Sequence, residues 1–154
     1  MSIALTIACV LVCGTPAAMV DQKPKTAAAR TITMVGTDDM KFDVTRITAK
    51  PRERIRIVLR SMGKLPKIVM AHNVVVLRPD VDVTAFASEA AMARTTAFIP
   101  PARKADVIAA TPLAGSGETV EVIFTVPDQL GEYPYVCSFP GHTQAGMRGI
   151  LQVK

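Results

Sequence analysis

The sequence predicts an all-β sandwich interrupted by one short helical insertion. Three observations carry that reading. Two runs, Arg54–Arg60 and Thr119–Val126, alternate apolar and polar residues with a period of two, as half-buried strands do. Short β-prone segments recur between Gly, Pro and Asp turns, the spacing of an antiparallel sandwich. A composition of 49% hydrophobic and 20% charged residues over 154 residues is that of one globular domain.

The chain opens on an uncharged apolar run, Ile3–Val12, that breaks at Gly14 and Pro16 and passes the small residues Ala17 and Ala18. Residues 1–18 therefore read as an export signal. The run is too short to span a bilayer, which takes about 20 residues. The expectation is an exported protein, periplasmic or extracytoplasmic, membrane-associated only if this segment is retained. Residues 19–30 read as a flexible N-terminal arm and residues 31–154 as the domain.

Thr31–Val35 is a β-prone run closed by Gly36, and Asp38-Asp39 marks a turn. Lys41–Ala49 reads as extended and is stopped by Pro51. In the next strand Ile55, Ile57 and Leu59 share the buried face, with Arg54, Arg56, Val58 and Arg60 on a solvated one. Asn73–Leu77 is a continuous apolar strand. The insertion follows, around residues 82–110. Val83, Phe86, Ala87 and Ala90 fall at helical spacing, with Asp82 as cap and Arg94 in the last turn. Pro100-Pro101 starts a second helical stretch, Ala102–Ala110, ended before Pro112. Then Thr119–Val126 turns Val120, Val122, Phe124 and Val126 inward and Thr119, Glu121 and Thr125 outward. Tyr133–Cys137 and Gly149–Val153 close the chain as strands.

The net charge of +5 favours acidic partners or anionic surfaces. Basic residues form no long run and are not interleaved with aromatics for base stacking, which argues against nucleic acid. Two of the three cysteines, Cys9 and Cys13, lie in the export signal, so the domain keeps one thiol, Cys137. A lone thiol in an oxidising compartment is a buried apolar group or a ligand, and its neighbours decide.

Cys137, His142 and Met147 fall on one loop between the last two strands, and the only other histidine, His72, stands at the mouth of the apolar strand. A single His is most often an ordinary hydrogen-bonded group, and a single Met is core filler. Both histidines and the sole domain thiol in two short segments are a different matter. Two imidazoles, one thiolate and one thioether form the trigonal set with a weak axial ligand of a blue-copper site. Structural zinc takes four strong ligands, and here the fourth is a thioether. A Cys–His nucleophile needs an orienting group and an oxyanion hole, and no acid is close in sequence.

These residues resemble the cupredoxins, within them the azurin and auracyanin group. Leu65-Pro66-Lys67-Ile68-Val69-Met70-Ala71-His72-Asn73 is similar to the azurin segment around the first histidine ligand. Leu113–Glu118 is similar to the turn before a long strand, and Cys137-Ser138-Phe139-Pro140-Gly141-His142 to the ligand loop. The resemblance runs from about residue 31 to the end. It implies a Greek-key β-sandwich of about eight strands holding one copper ion. It further implies His72, Cys137 and His142 as equatorial ligands, Met147 as axial ligand, and the Ala71 carbonyl as a second, weak axial contact. Asn73 and Ser138 would tie the two ligand loops together. Two departures stand out. Azurins carry Gly where this chain has Ala71. The four residues Thr143–Gly146 between His and Met resemble auracyanin and plastocyanin spacing rather than azurin. The azurin disulfide has no counterpart.

The functional expectation is a small carrier that passes single electrons between transient redox protein partners by Cu(II)/Cu(I) cycling. The resemblance implies that the ring edge of His142 reaches the surface through an apolar docking patch matched by Leu65, Val69, Met70, Phe139 and Pro140. The alternative is a copper storage or delivery module without a redox partner, which predicts an open, Met- or His-rich site; the eight Met here are scattered. A copper enzyme such as a nitrite reductase needs a second copper with further histidines, and both are already used.

Overall fold

The computed structural model describes residues 28–154, so the expected export signal and most of the arm lie outside the described residues. Among the described residues nine strands form two sheets. They are β1 (Arg30–Thr37), β2 (Lys41–Phe42), β3 (Arg46–Ala49), β4 (Arg54–Met62), β5 (Val75–Leu77), β6 (Val107–Ala110), β7 (Thr119–Thr125), β8 (Gly131–Val136) and β9 (Arg148–Val153). One sheet runs β2-β1-β4-β7 and the other β3-β9-β8-β5-β6. The core lies between them. Met34, Ile55, Ile57 and Leu59 from the first sheet share one buried cluster with Val76, Tyr135, Leu151 and Val153 from the second.

The period-two reading of β4 and β7 holds. Ile55, Ile57 and Leu59 are buried and face Phe124, Val122 and Val120 in register. On the outer face Arg56 pairs with Glu121. Both partners are roughly 40% exposed, so the pair contributes at most about 1 kcal/mol.

The pairing is not purely antiparallel as expected. β1 runs parallel to β4, and β3 parallel to β9. Alternation of residues fixes which face is buried and is silent on the direction of the neighbouring strand. Here the chain crosses between the sheets from β2 to β3, so β1 and β4 become neighbours without a hairpin. That crossing also breaks the expected single run Lys41–Ala49. The Asp43 carboxylate accepts from Val35 N–H at 2.6 Å, and the Val44 carbonyl accepts from the Tyr135 hydroxyl at 2.8 Å.

A ten-residue helix, α1 (Val83–Met92), starts where expected: the Asp82 carboxylate accepts from Thr84 N–H at 2.8 Å and Ala85 N–H at 3.0 Å. Phe86 and Ala90 bury against Val75, Leu77 and Val136 on the outer face of the second sheet. Two expectations fail beyond it. Arg94 lies in a separate 3₁₀ turn, Arg94–Thr96, rather than in the last turn of α1. The second helical stretch is a 3₁₀ segment, Pro101–Asp106, and Val107–Ala110 is the edge strand β6, with Val75 opposite Ala110 and Val76 opposite Ala109. Pairing with the buried strand β5 outweighs the helix propensity of Ala109 and Ala110. Among the described residues no helix is long and apolar enough to cross a membrane.

Candidate metal centre

Three connections meet at one end of the sandwich, and each is fixed by its own hydrogen bonds. His72 stands just before β5. Its N–H donates to the Ala114 carbonyl at 2.9 Å and its carbonyl accepts from Ala114 N–H at 2.8 Å, which ties the first histidine segment to the turn before β7. Cys137 directly follows β8, and its N–H donates to the Met147 carbonyl at 3.0 Å, closing the neck of the 137–147 loop. Inside the loop the Thr143 hydroxyl donates to the Cys137 carbonyl at 2.8 Å, and Met147 N–H donates to the His142 carbonyl at 2.9 Å. Gly141 and Gly146 turn the chain there at φ +83° and +95°, where a side chain is strained.

Asn73 and Ser138 link the two segments as expected. The Asn73 side-chain amide N–H donates to the Ser138 hydroxyl at 2.9 Å, and Ser138 N–H donates to the side-chain Oδ1 of Asn73 at 2.9 Å. Both residues are buried, so these bonds are shielded from water.

This scaffold brings the sequence-predicted site residues together. Cys137 and Met147 are 0% exposed, His72 1% and His142 2%. One donor atom each from His72, Cys137 and His142 lie within 4.8 Å of one another. Cys137 Sγ is 3.3 Å from His142 Nδ1 and 3.9 Å from the Ala71 carbonyl oxygen. The Met147 methyl and the His72 ring both border the space above Gly36.

The electrostatics fit a cation. Burial, and then the neighbouring His72, push the His142 imidazole down to about 4. Burial lowers His72 as well, against a smaller upward pull from Asp38. Both rings are therefore neutral at pH 7, the form that ligates metal. Burial pushes the Cys137 thiol up to about 12, against smaller downward pulls from the backbone N–H groups of Asn73 and Phe139. A thiolate in that position needs a positive charge beside it, which a bound metal supplies. His72 Nδ1 is buried and has no hydrogen-bond partner. A buried polar atom left unpaired costs free energy, and a metal bond satisfies it. Two neutral imidazoles and a thiol that ionises only beside a cation suit one copper ion.

Sequence reasoning missed Gly36. It reads as the end of a strand, yet it lies inside β1 opposite Phe42 and Ser61. A Cβ there would stand 2.9 Å from the Met147 methyl and 3.1 Å from His72 Cγ. The glycine is required for space, and only a contact across the sandwich reveals it.

The residues expected to form an apolar docking patch differ in exposure. Leu65, Val69 and Pro140 are exposed, and Met70 and Phe139 are half-buried. Ile68, at 71% exposed, and Met92 of α1, at 87%, extend the patch onto the insertion. The expected surface-reaching ring edge of His142 is almost closed over. Phe139 packs its ring 4.8 Å from the imidazole.

Comparisons with known proteins agree with this geometry. Residues 29–154 match the family of copper binding proteins described as the plastocyanin/azurin family. The chain is 37% identical over 125 residues to an azurin of Alcaligenes faecalis, covering 79% of this chain and 96% of that protein. Among solved structures, an azurin from the methylotroph Methylomonas sp. strain J superposes with a TM-score of 0.70 at 33% identity, covering 82% of this chain and 99% of that one. Auracyanin A, described as a "blue" copper protein from Chloroflexus aurantiacus, also gives 0.70, at 27% identity, covering 82% of this chain and all of the other. With the buried His72, Cys137 and His142 already converging on one point, the match over the whole described domain makes the chain a member of the plastocyanin/azurin family of copper-binding proteins.

Proposed function

We propose that this protein is a type 1 copper electron carrier, with His72, Cys137 and His142 as equatorial ligands, Met147 as weak axial ligand and the Ala71 carbonyl as a distant second axial contact. Copper held there supplies a Cu(II)/Cu(I) couple. The chain's own part is to hold a mixed hard and soft donor set still and dry. The observation that carries this reading is that all four side chains are buried on pinned backbone: His72 by paired bonds to Ala114, and Cys137, His142 and Met147 by bonds within their own loop. Donors that barely move between oxidation states keep the barrier to electron transfer low.

A storage or delivery role is less well supported. Donors that are 0–2% exposed do not favour rapid ligand exchange. Nor do they leave an open coordination position for a small substrate, so the reading is a carrier and not an enzyme. The partners are transient redox proteins that meet the exposed apolar patch around Leu65, Val69, Met70, Phe139 and Pro140. We also read residues 1–18 as an export signal, 19–30 as an arm and 31–154 as the working domain, which places the carrier outside the cytoplasm.

Repeated reduction and reoxidation in the presence of a Cu(I) chelator tests the role. A carrier keeps one copper per chain through many cycles. A delivery module loses its copper to the chelator in the first reduced phase.

A further inference from the structure

The turn that follows α1 is strained, and the strain has a target. Ala97 and Phe98 both adopt left-handed backbone, at φ 54° and 60°. For residues with a Cβ this conformation is unfavourable, and two in succession persist only where their surroundings over-determine them. Here they do. Phe98 N–H donates to the Ala93 carbonyl at 2.9 Å. The Thr96 hydroxyl lies within donating distance of the Ile99 carbonyl, at 2.7 Å, and of the Ala93 carbonyl, at 3.1 Å, so its one hydrogen can tie the turn on either side. Pro100 and Pro101 stiffen the exit.

The product of this construction is one buried ring. Phe98 is 6% exposed, yet it belongs to neither apolar cluster of the fold. Its aromatic contact is with Phe139, edge-on, with centroids 5.0 Å apart and planes at 68°. Phe139 in turn packs 4.8 Å from the His142 imidazole, whose centroid lies 5.0 Å from that of His72. A continuous contact thus runs from the insertion through two phenyl rings to the metal centre. We propose that Phe98 is a positioning residue for His142: it locks the Phe139 ring, which holds the imidazole in one orientation and keeps water from it. This rests on the reading of the centre as an electron-transfer site. An imidazole free to tilt changes its bonding between the two oxidation states and slows exchange, even when the ligand set is intact. Phe98 also lines the surface groove between the Ile68–Val69 turn and α1.

Three variants test this. Phe98→Ala removes the ring, Phe98→Leu keeps most of the volume without an aromatic edge, and Phe98→Tyr keeps the edge. The first readout is the flip rate of the Phe139 ring by NMR in the metal-free protein. It should rise at least tenfold in Phe98→Ala and Phe98→Leu and stay at the wild-type value in Phe98→Tyr. The second is electron self-exchange of the copper-loaded protein, which should slow about tenfold in the first two variants and be unchanged in the third. If Phe98→Ala does not fold, the contrast between Leu and Tyr decides. Wild-type behaviour of Phe98→Leu in either readout means that Phe98 only fills space, and overturns the proposal. A wild-type protein that takes up copper but exchanges no electrons removes the carrier reading instead, while the ring-flip contrast still judges the clamp.

Discussion

Replacing Gly36 with alanine places one methyl group where the structure has no room. The new Cβ would lie 2.9 Å from the Met147 methyl, 3.1 Å from His72 Cγ and 3.2 Å from its Cδ2. Carbon atoms pack best at about 3.5–4.0 Å, so the overlap is roughly 0.6–1.1 Å on the methionine side and slightly less on the ring. The two neighbours do not yield equally. His72 is held by paired backbone bonds to Ala114, whereas the Met147 methyl is the end of a flexible side chain. Met147 therefore moves, and its sulfur is displaced from its present position. Overpacking of this size destabilises a core by about 1–3 kcal/mol. At about 2–8 °C per kcal/mol for domains in this size range, the metal-free melting temperature should fall by several degrees. Cys137 and His142 are not among the nearest neighbours of the new methyl and His72 is held in place by Ala114, so copper should still bind one to one. A weakened thioether contact favours Cu(I), so the reduction potential should rise by an amount on the order of 60 mV, a tenfold shift for a one-electron couple. Thermal denaturation of the metal-free protein and a redox titration of the loaded protein measure both. A Gly36→Ala variant with wild-type melting temperature and potential refutes the steric reasoning. Loss of copper refutes the division of labour between Met147 and the other three donors.

Other outcomes follow from the same geometry. Met147→Leu should keep copper and raise the potential in a redox titration, because an apolar residue favours the less charged ion; a lowered potential or lost copper counts against a weak axial role. His142 is held near 4 against an ordinary 6.5, so the unfolded chain takes up protons across that interval first. Stability of the metal-free protein is then full above about 6.5 and declines as pH falls toward 4, with His72 acting in the same direction, and urea denaturation at a series of pH values measures it. A flat profile over that range contradicts the burial of the two neutral rings. Met70→Lys should slow self-exchange strongly with little change in the visible spectrum, because a lysine must be desolvated at each encounter and two like charges then meet. Arg56→Glu, on the solvated strand face, should change self-exchange little; the reverse pattern moves the docking face to the basic strand.

Much of this was legible in the sequence because it depends on local chemistry. Alternation in β4 and β7 needs only the burial of every second residue, and Asp82 caps α1 through bonds that span three residues. The convergence of His72, Cys137 and His142 was legible because both histidines and the one domain thiol crowd into two segments. What escaped depends on contacts between distant parts of the chain. The parallel pairs arise from a sheet crossing that periodicity does not encode. Strand β6 reads as helix in the sequence because its alanines suit either state until β5 lies beside them. Gly36 looks like punctuation until Met147 and His72 are placed above it. The closing of His142 comes from Phe139, which Phe98 braces from an insertion that carries no chemistry of its own.

We propose His72, Cys137, His142 and Met147 as a type 1 copper centre. Its most direct test is the visible absorption spectrum of the protein with one equivalent of Cu(II) under non-reducing conditions, recorded beside Cys137→Ser. Thiolate-to-copper charge transfer predicts an intense blue band in the wild type and none in the variant, since a hydroxyl is a poor soft donor. A colourless wild-type protein, or a blue band that survives in Cys137→Ser, contradicts the claim.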